Sequence, residues 1–162
     1  KTIEELRKIL KYDPATGNIL WTNTPKGKMR PNGVAGTVNH DGYVIINHLG
    51  KLYKAHRLAW ALQTSEWPTN DIDHINGDKA DNRWSNLRLA TRGQNSRNSK
   101  KRSDNTSGHK NVRWCKFHKK WVARVKEPTG IKRTRYCQTL EEAVKKAAEL
   151  RSLCHKEFAR SE

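Results

Sequence analysis

The sequence is short of apolar side chains. They make up 34% of 162 residues, so one large core is not available, and two small cores joined by a polar stretch fit better. No apolar run approaches the length needed to span a membrane, and no basic amphipathic helix indicates binding at a membrane surface. The beginning of the sequence lacks a charged-then-apolar leader, so we expect a cytoplasmic protein without a membrane partner.

Cysteine is equally scarce. Cys115, Cys137 and Cys154 stand alone, with no CxxC pair and no metal-ligand spacing. This pattern argues against a zinc site built on cysteine and against the disulfide framework of a small secreted protein.

Acidic residues are outnumbered by basic ones. The chain has 33 Lys and Arg against 16 Asp and Glu, and residues 92–136 contribute +13 of the formal charge of +17. Such a charge indicates polyanionic partners, most commonly nucleic acid. A solvated linker is the alternative, but four aromatic residues interrupt this basic segment, and disordered tails rarely contain them. We therefore predict a folded surface that binds nucleic acid.

The N-terminal half predicts short helices and hairpins. Thr2-Ile-Glu-Glu5 has the form of a capping box, and Leu6, Ile9 and Leu10 follow at helical spacing. Turn-forming residues then separate further apolar runs. From these patterns we expect strands at 19–21 and 43–46, an exposed loop at 22–33, and a helix at 56–62. His40, His48 and His56 in this half are interpreted as structural or exposed, not catalytic.

A carboxylate and an imidazole stand side by side at Asp73 and His74, on a short apolar strand. The turn Asn76-Gly-Asp78 follows, and a second strand, Leu87–Leu89, comes after Asn86. Thr91 then caps a polar helix that carries Asn95. This segment forms a strand, loop, strand and helix unit.

Those residue types suit phosphodiester hydrolysis. The reaction needs a base that takes a proton from water, a cation that neutralises the developing charge, and a stabilised leaving oxygen. A hard divalent cation prefers oxygen ligands, so a carboxylate and an amide oxygen suit Mg²⁺. A neutral histidine is a plausible base near pH 7. Asp78 and Asp81 are interpreted as turn formers.

This segment resembles the ββα-metal core of HNH endonucleases, in particular the phage and intron-associated homing branch. The resemblance covers about residues 30–98 and includes the upstream Gly42-Tyr43 and Ala55-His-Arg-Leu58. It implies that His74 is the general base and that Asn86 holds its imidazole in orientation. It also implies that Asp73 and Asn95 bind one divalent metal ion, Mg²⁺ or Mn²⁺. Many HNH enzymes have a second histidine where this chain has Asn95.

After residue 107 the pattern changes to alternation with a period of two. Three runs, at 112–115, 121–126 and 133–136, predict three strands, and Thr139-Leu-Glu-Glu142 predicts the start of a long amphipathic helix. We expect the helix to cover the apolar side of all three strands, leaving Arg and Lys on the opposite face.

This C-terminal part resembles the ethylene-response-factor type of DNA-binding domain over about residues 106–160. The resemblance rests on Ser107-Gly108, Asn111-Val-Arg-Trp114, Lys120–Val125, Glu141–Ala143 and His155–Phe158. It implies that the sheet binds double-stranded DNA in the major groove. The implied DNA-facing residues are Arg113, Arg124, Lys126, Arg133 and Arg135. We expect Arg92, Arg97 and Lys100, near the linker, to lie along the DNA backbone.

The sequence thus predicts an α+β protein with three parts. These are a nuclease domain at 1–98, with an N-terminal β-hairpin region and a ββα-metal core at about 70–98, a linker at 99–107, and a DNA-binding domain at 108–162. The predicted DNA-binding domain is a small three-stranded antiparallel sheet packed on one helix.

The function implied is that of a metal-dependent DNA endonuclease that needs no small-molecule cofactor. It would act as a monomer or weak dimer, nick duplex DNA and leave 5′-phosphate and 3′-hydroxyl ends. A phage-encoded chain would act in the cytoplasm of the bacterial host. The alternatives are a DNA-binding regulator with a non-cutting HNH fold and, less favoured, a nonspecific nuclease toxin.

Overall fold

Helices separate groups of antiparallel strands along the chain. The structure is a computed structural model that describes residues 2–22, 33–99, 101 and 103–159. The chain divides into two compact units, Lys1–Thr91 and Arg92–Glu162. The predicted boundary of the nuclease domain lies a few residues later, at 98, and the predicted domain roles stay predictions. Most of the loop predicted at 22–33 lies outside the described residues. In the described part, no helix is long and apolar enough to cross a membrane.

The N-terminal helix α1, Ile3–Arg7, is shorter than its apolar spacing suggests. Its capping box is present: the Thr2 hydroxyl accepts from the Glu5 N–H, and the Glu5 carboxylate accepts from the Thr2 N–H. The helical assignment of Ile9 and Leu10 is wrong. Leu10 begins strand β1, which runs Leu10–Tyr12 and pairs antiparallel with β2, Ile19–Trp21. Strand pairing and burial of Leu10 therefore override the local helical period.

A three-stranded meander and a helix complete the core of the first unit. The strands are β3, Thr37–Val38, β4, Val44–His48, and β5, Lys51–Lys54, in the order β3-β4-β5. Leu49 and Gly50, both with positive φ, form the two-residue turn between β4 and β5. Helix α2, Ala55–Thr64, follows β5 directly and buries Leu58 against this core, together with side chains from α1, β1 and β2.

A second hairpin supplies the candidate site. Strand β6, Asp71–His74, pairs antiparallel with β7, Leu87–Ala90. A loop and a short 3₁₀ helix, Trp84–Asn86, lie between them. Helix α3, Arg92–Asn98, follows β7 and belongs to the second unit. The predicted succession of strand, loop, strand and helix is confirmed.

The second unit contains the predicted three-stranded sheet and its helix. The strands are β8, Val112–Cys115, β9, Lys120–Lys126, and β10, Lys132–Cys137, with β9 in the middle. Helix α4, Leu140–His155, begins after Thr139, whose hydroxyl accepts from the Glu142 N–H. Both units combine helices with antiparallel sheets, so the α+β class is confirmed.

Candidate active site

Asp73 and His74 are both buried at the end of β6. Their exposed fractions are 3% and 5%, although each carries a polar side chain. Burying such groups is unfavourable unless they are paired or hydrogen-bonded. Their partners therefore show how the site is held.

The carboxylate of Asp73 is paired with Arg88 across the β6–β7 ladder. The two residues are direct cross-strand partners, so their side chains leave the same face of the hairpin. Arg88 donates from Nε and Nη2 to Oδ2 of Asp73 at 2.9 and 2.8 Å. These two contacts fix the orientation of the carboxylate, and the guanidinium compensates its charge where little solvent reaches it.

His74 is held by an amide that the sequence analysis did not single out. Its Nε2 lies 3.1 Å from Oδ1 of Asn82. The Asn82 amide donates through Nδ2 to the carbonyl of Ala80, and this bond sets which end of the amide faces the ring. The imidazole must then donate from Nε2, and the lone pair of the neutral ring lies on Nδ1.

The side-chain amide of Asn86 is hydrogen-bonded at both ends to the loop between β6 and β7. Its Oδ1 accepts from the N–H of Asn76 at 2.9 Å, and its Nδ2 donates to the carbonyl of Asp81 at 2.7 Å. These bonds tie together both ends of the 76–81 turn. The predicted role of Asn86 in orienting the imidazole stays a prediction.

Asp78 and Asp81, which were predicted to form turns, accept hydrogen bonds from residues two positions further along the loop. Asp78 accepts from the N–H of Ala80, and Asp81 receives a two-pronged contact from the Arg83 guanidinium. The Arg83 side chain lowers the pKa of Asp81 to about 2, with smaller contributions from the Arg83 N–H and from Asn76. The loop thus keeps a fixed, ionised carboxylate close to its surface.

The rings of His74, His56 and Tyr43 form a cluster of three. The His56 ring meets that of His74 edge-on with centroids 5.1 Å apart, and the Tyr43 ring lies 6.2 Å from His74 and 5.2 Å from His56. The structural interpretation of His56 is consistent with its burial, but its contact with His74 was not foreseen. His40 is exposed beside Asp41.

Burial keeps both histidines of this cluster neutral. Desolvation, followed by the neighbouring His74, lowers the pKa of His56 to about 3. Desolvation also lowers the pKa of His74, although the Asn82 hydrogen bond and nearby acids oppose the shift. A neutral imidazole at pH 7 is the form that can accept a proton.

Any metal at this site would rest on few protein ligands. Among the described residues, no group of three or more His, Cys, Asp and Glu side chains could hold a metal ion. Asp73 offers a hard carboxylate as a ligand. That donor chemistry fits Mg²⁺ or Mn²⁺, which can be bound by one or two protein oxygens with water and phosphate. Asn95, the other predicted ligand, lies on α3 in the second unit.

Residues 53–97 match the family model of an HNH endonuclease. The match spans α2, the β6–β7 hairpin and most of α3. A solved structure on DNA binding and cleavage by the HNH homing endonuclease I-HmuI is also similar. It is 22% identical, with 93% of this chain and 81% of that chain covered at a TM-score of 0.42. A comparison with curated proteins gives no match.

Beyond the matched segment, the β8–β10 sheet has an outer face opposite α4. Strand register assigns Arg113, Arg124 and Lys126 to this outer face, because they pair with Val122, Thr134 and Lys132. Arg124 donates from Nε to the hydroxyl of Thr134. Three predicted DNA-facing residues therefore share one face, and Lys132, which was not predicted, joins them.

Arg133 and Arg135 do not lie on this outer face, and the predicted grouping is wrong on this point. They pair with Val125 and Ala123, which are fully buried against α4. The alternation suggested that Tyr136 faces α4. In the structure Cys137 is buried there instead, so Arg133 and Arg135 share its side of the strand. Arg133 instead pairs with Glu127, which raises the pKa of its guanidinium, with a smaller contribution from Cys154 of α4.

The basic residues near α3 have different surroundings. Arg92 is exposed and Arg97 half-buried, and the Arg97 carbonyl accepts from the ammonium group of Lys110. Lys100 lies outside the described residues. The proximity of these three side chains to DNA stays a prediction.

Proposed function

We propose that this protein is a metal-dependent DNA endonuclease that uses His74 as its general base. The observation that carries the proposal is the buried, neutral His74 beside Asp73 in a segment that matches the HNH endonuclease family. The tautomer set by Asn82 puts the lone pair on Nδ1, the atom that would accept the proton. A neutral base in a fixed orientation is suited to general base catalysis.

The proposed reaction is hydrolysis of one phosphodiester bond. Nδ1 of His74 takes a proton from water, and the water oxygen attacks phosphorus. The bond between phosphorus and the 3′ oxygen breaks, and that oxygen takes a proton from solvent water, which leaves 5′-phosphate and 3′-hydroxyl ends. When bound, Mg²⁺ or Mn²⁺ would supply positive charge to offset the negative charge that develops in the reaction. Asp73 and Asn95 are the residues proposed to hold it.

The proposed DNA partner rests on charge and on the outer face of the second unit. Segment 92–136 has a net charge of +13, and such charge binds the DNA backbone by releasing counterions. We propose that the outer face of β8–β10 contacts duplex DNA in the manner expected of ethylene-response-factor domains. One His74 per chain favours a monomer or weak dimer that nicks one strand in each binding event.

A plasmid assay tests the function. Supercoiled plasmid incubated with the protein and Mg²⁺ or Mn²⁺ is expected to become open circular, and EDTA is expected to prevent this. Linear product would indicate paired active sites. Absence of cutting on plasmids carrying varied sequence, together with salt-sensitive DNA binding, would contradict the nuclease and favour the DNA-binding regulator.

The orientation of the sheet makes a second prediction. Arg113→Gln and Arg124→Gln are expected to weaken duplex binding and to reduce the slope of log affinity against log salt by about 0.9 for each phosphate that is no longer neutralised. Arg133→Gln and Arg135→Gln are matched changes on the opposite face, and they are expected to leave the slope unchanged. Fluorescence anisotropy of a labelled duplex in EDTA measures this. Equal effects on both faces would contradict the assignment.

A further inference from the structure

Two lysines lie over one aromatic ring beside His74. Nζ of Lys54 is 4.6 Å from the centroid of the Tyr43 ring, and Nζ of Lys79 is 4.7 Å from it. Both distances are within the range of cation–π attraction. The three residues come from three segments: the β3–β4 connection, the end of β5 and the loop after β6. The fold thus brings together charges that are far apart in sequence.

Lys79 is fixed at two points. Its ammonium group donates to the carbonyl of Asp41 at 3.0 Å, and its stem passes over Gly42, where a Cβ would lie 3.9 Å from Cδ of Lys79. Lys54 is the N-cap residue of α2, and its ammonium group, which has donors only, cannot bond to the N–H groups at that helix end. An ammonium group has three N–H donors, so both lysines retain capacity for an anion.

The same ring connects the lysines to the candidate base. Tyr43 lies 5.2 Å from His56 and 6.2 Å from His74, measured between ring centroids. Tyr43 is half-buried and both histidines are buried, whereas Lys54 and Lys79 are exposed. The ammonium groups are thus on the solvent side of the ring cluster. An anion that reaches the Tyr43 ring from solvent would meet them.

The two like charges are held close together without an acidic partner for either ammonium group among the described residues. Both ammonium groups contact the same ring, so they are separated by less than about 10 Å, the Debye length at moderate salt. Their mutual repulsion is therefore only partly screened. Binding of phosphate between or beside them would relieve it.

We propose that Lys54, Tyr43 and Lys79 form a phosphate clamp. The two lysines bind backbone phosphates of DNA on either side of the phosphodiester presented to His74, and the Tyr43 ring holds them in place. The clamp rests on the proposed nuclease function for the identity of its ligand. It adds residues that position the strand, and none of them takes part in proton transfer.

The test compares Lys54→Gln and Lys79→Gln with Lys51→Gln. Lys51 is a matched control because it is an exposed lysine of β5 that lies over a different ring, that of Tyr53, at 5.3 Å. Binding of a labelled duplex is measured in EDTA at several salt concentrations. Each clamp variant is expected to reduce the salt slope by about 0.9, the value for one phosphate neutralised by one lysine. Lys51→Gln is expected to leave it unchanged.

Tyr43 variants test whether the ring organises the lysines. Tyr43→Phe keeps the aromatic face and is expected to bind like the unaltered protein. Tyr43→Leu is expected to weaken binding as the lysine variants do. In plasmid cutting, the lysine variants are expected to raise KM several-fold with kcat within about twofold, as for loss of binding shared by substrate and transition state.

The outcomes separate the clamp from the nuclease. Normal cutting with salt slopes equal to that of Lys51→Gln would overturn the clamp and leave the nuclease intact. Reduced slopes in a protein that cuts no DNA would support the lysines as a phosphate-binding pair and contradict the nuclease. A fall in kcat at unchanged KM would also overturn the clamp, because it would assign the lysines to the chemical step.

Discussion

His74→Ala is expected to reduce plasmid cutting by about 10²- to 10⁴-fold, the usual contribution of a general base. The imidazole is buried, neutral and held through Nε2 by Asn82. Alanine removes the proton acceptor but none of the basic residues proposed to bind DNA. Affinity for a labelled duplex in EDTA should therefore change by less than about twofold. Initial rates of open-circle formation provide the measurement.

His40→Ala is the matched control, because His40 is an exposed histidine of the same unit. Its cutting rate is expected to equal that of the unaltered protein. Loss of a buried ring also affects packing, so thermal unfolding of His74→Ala must be recorded. If it unfolds, His74→Asn provides a second polar, non-basic replacement. Retention of cutting by a folded His74 variant would rule out the proposed base.

Gly17→Ala is expected to destabilise the protein by about 2 to 5 kcal/mol through steric overlap and backbone strain. Gly17 has φ of +78°, and a Cβ there would lie 2.5 Å from the carbonyl carbon of Asn82 and overlap the nitrogen of Arg83. The backbone at Asn82 is also held by Tyr12, whose hydroxyl donates a hydrogen bond to the Asn82 carbonyl. Displacing it would move the amide that holds His74. Urea unfolding and plasmid cutting should both report the change.

Gly50→Ala separates strain from overlap. Gly50 has the same φ of +78°, but no atom lies within 4 Å of the position of its Cβ. Its substitution is expected to destabilise by only about 1 to 2 kcal/mol, the usual cost of a left-handed conformation. Cutting should be unaffected below the unfolding temperature. Equal destabilisation by the two substitutions would show that the close approach at Gly17 has no effect.

Local patterns predicted the elements well where the residues that define them are neighbours in sequence. The alternation at 112–115 predicted β8, and the Thr139 motif predicted the start of α4. Patterns failed where distant partners decide the conformation. Leu10 follows a helical period but pairs with Trp21. In β10, alternation alone did not decide whether Tyr136 or Cys137 packs against α4, and the sheet register decided it.

The candidate site shows the same limit. Asp73 and His74 are adjacent and were predicted together. Arg88 was visible in sequence, but its pairing with Asp73 depends on the register of β6 against β7. His56 and Tyr43 come from other elements, and no local pattern brings them to His74. A polar residue fully buried in a loop, as Asn82 is, becomes evident only from its contacts.

Each compact unit has its own cluster of buried apolar side chains. The cluster around Leu58 contains no residue of the β8–β10 sheet, and the cluster around Ala147 contains none of the β6–β7 hairpin. Substitutions on the outer face of β8–β10 are therefore expected to leave the packing beneath His74 unchanged. Under the proposed function, evolution can therefore alter the residues that contact DNA on this face while the packing beneath His74 is inherited unchanged.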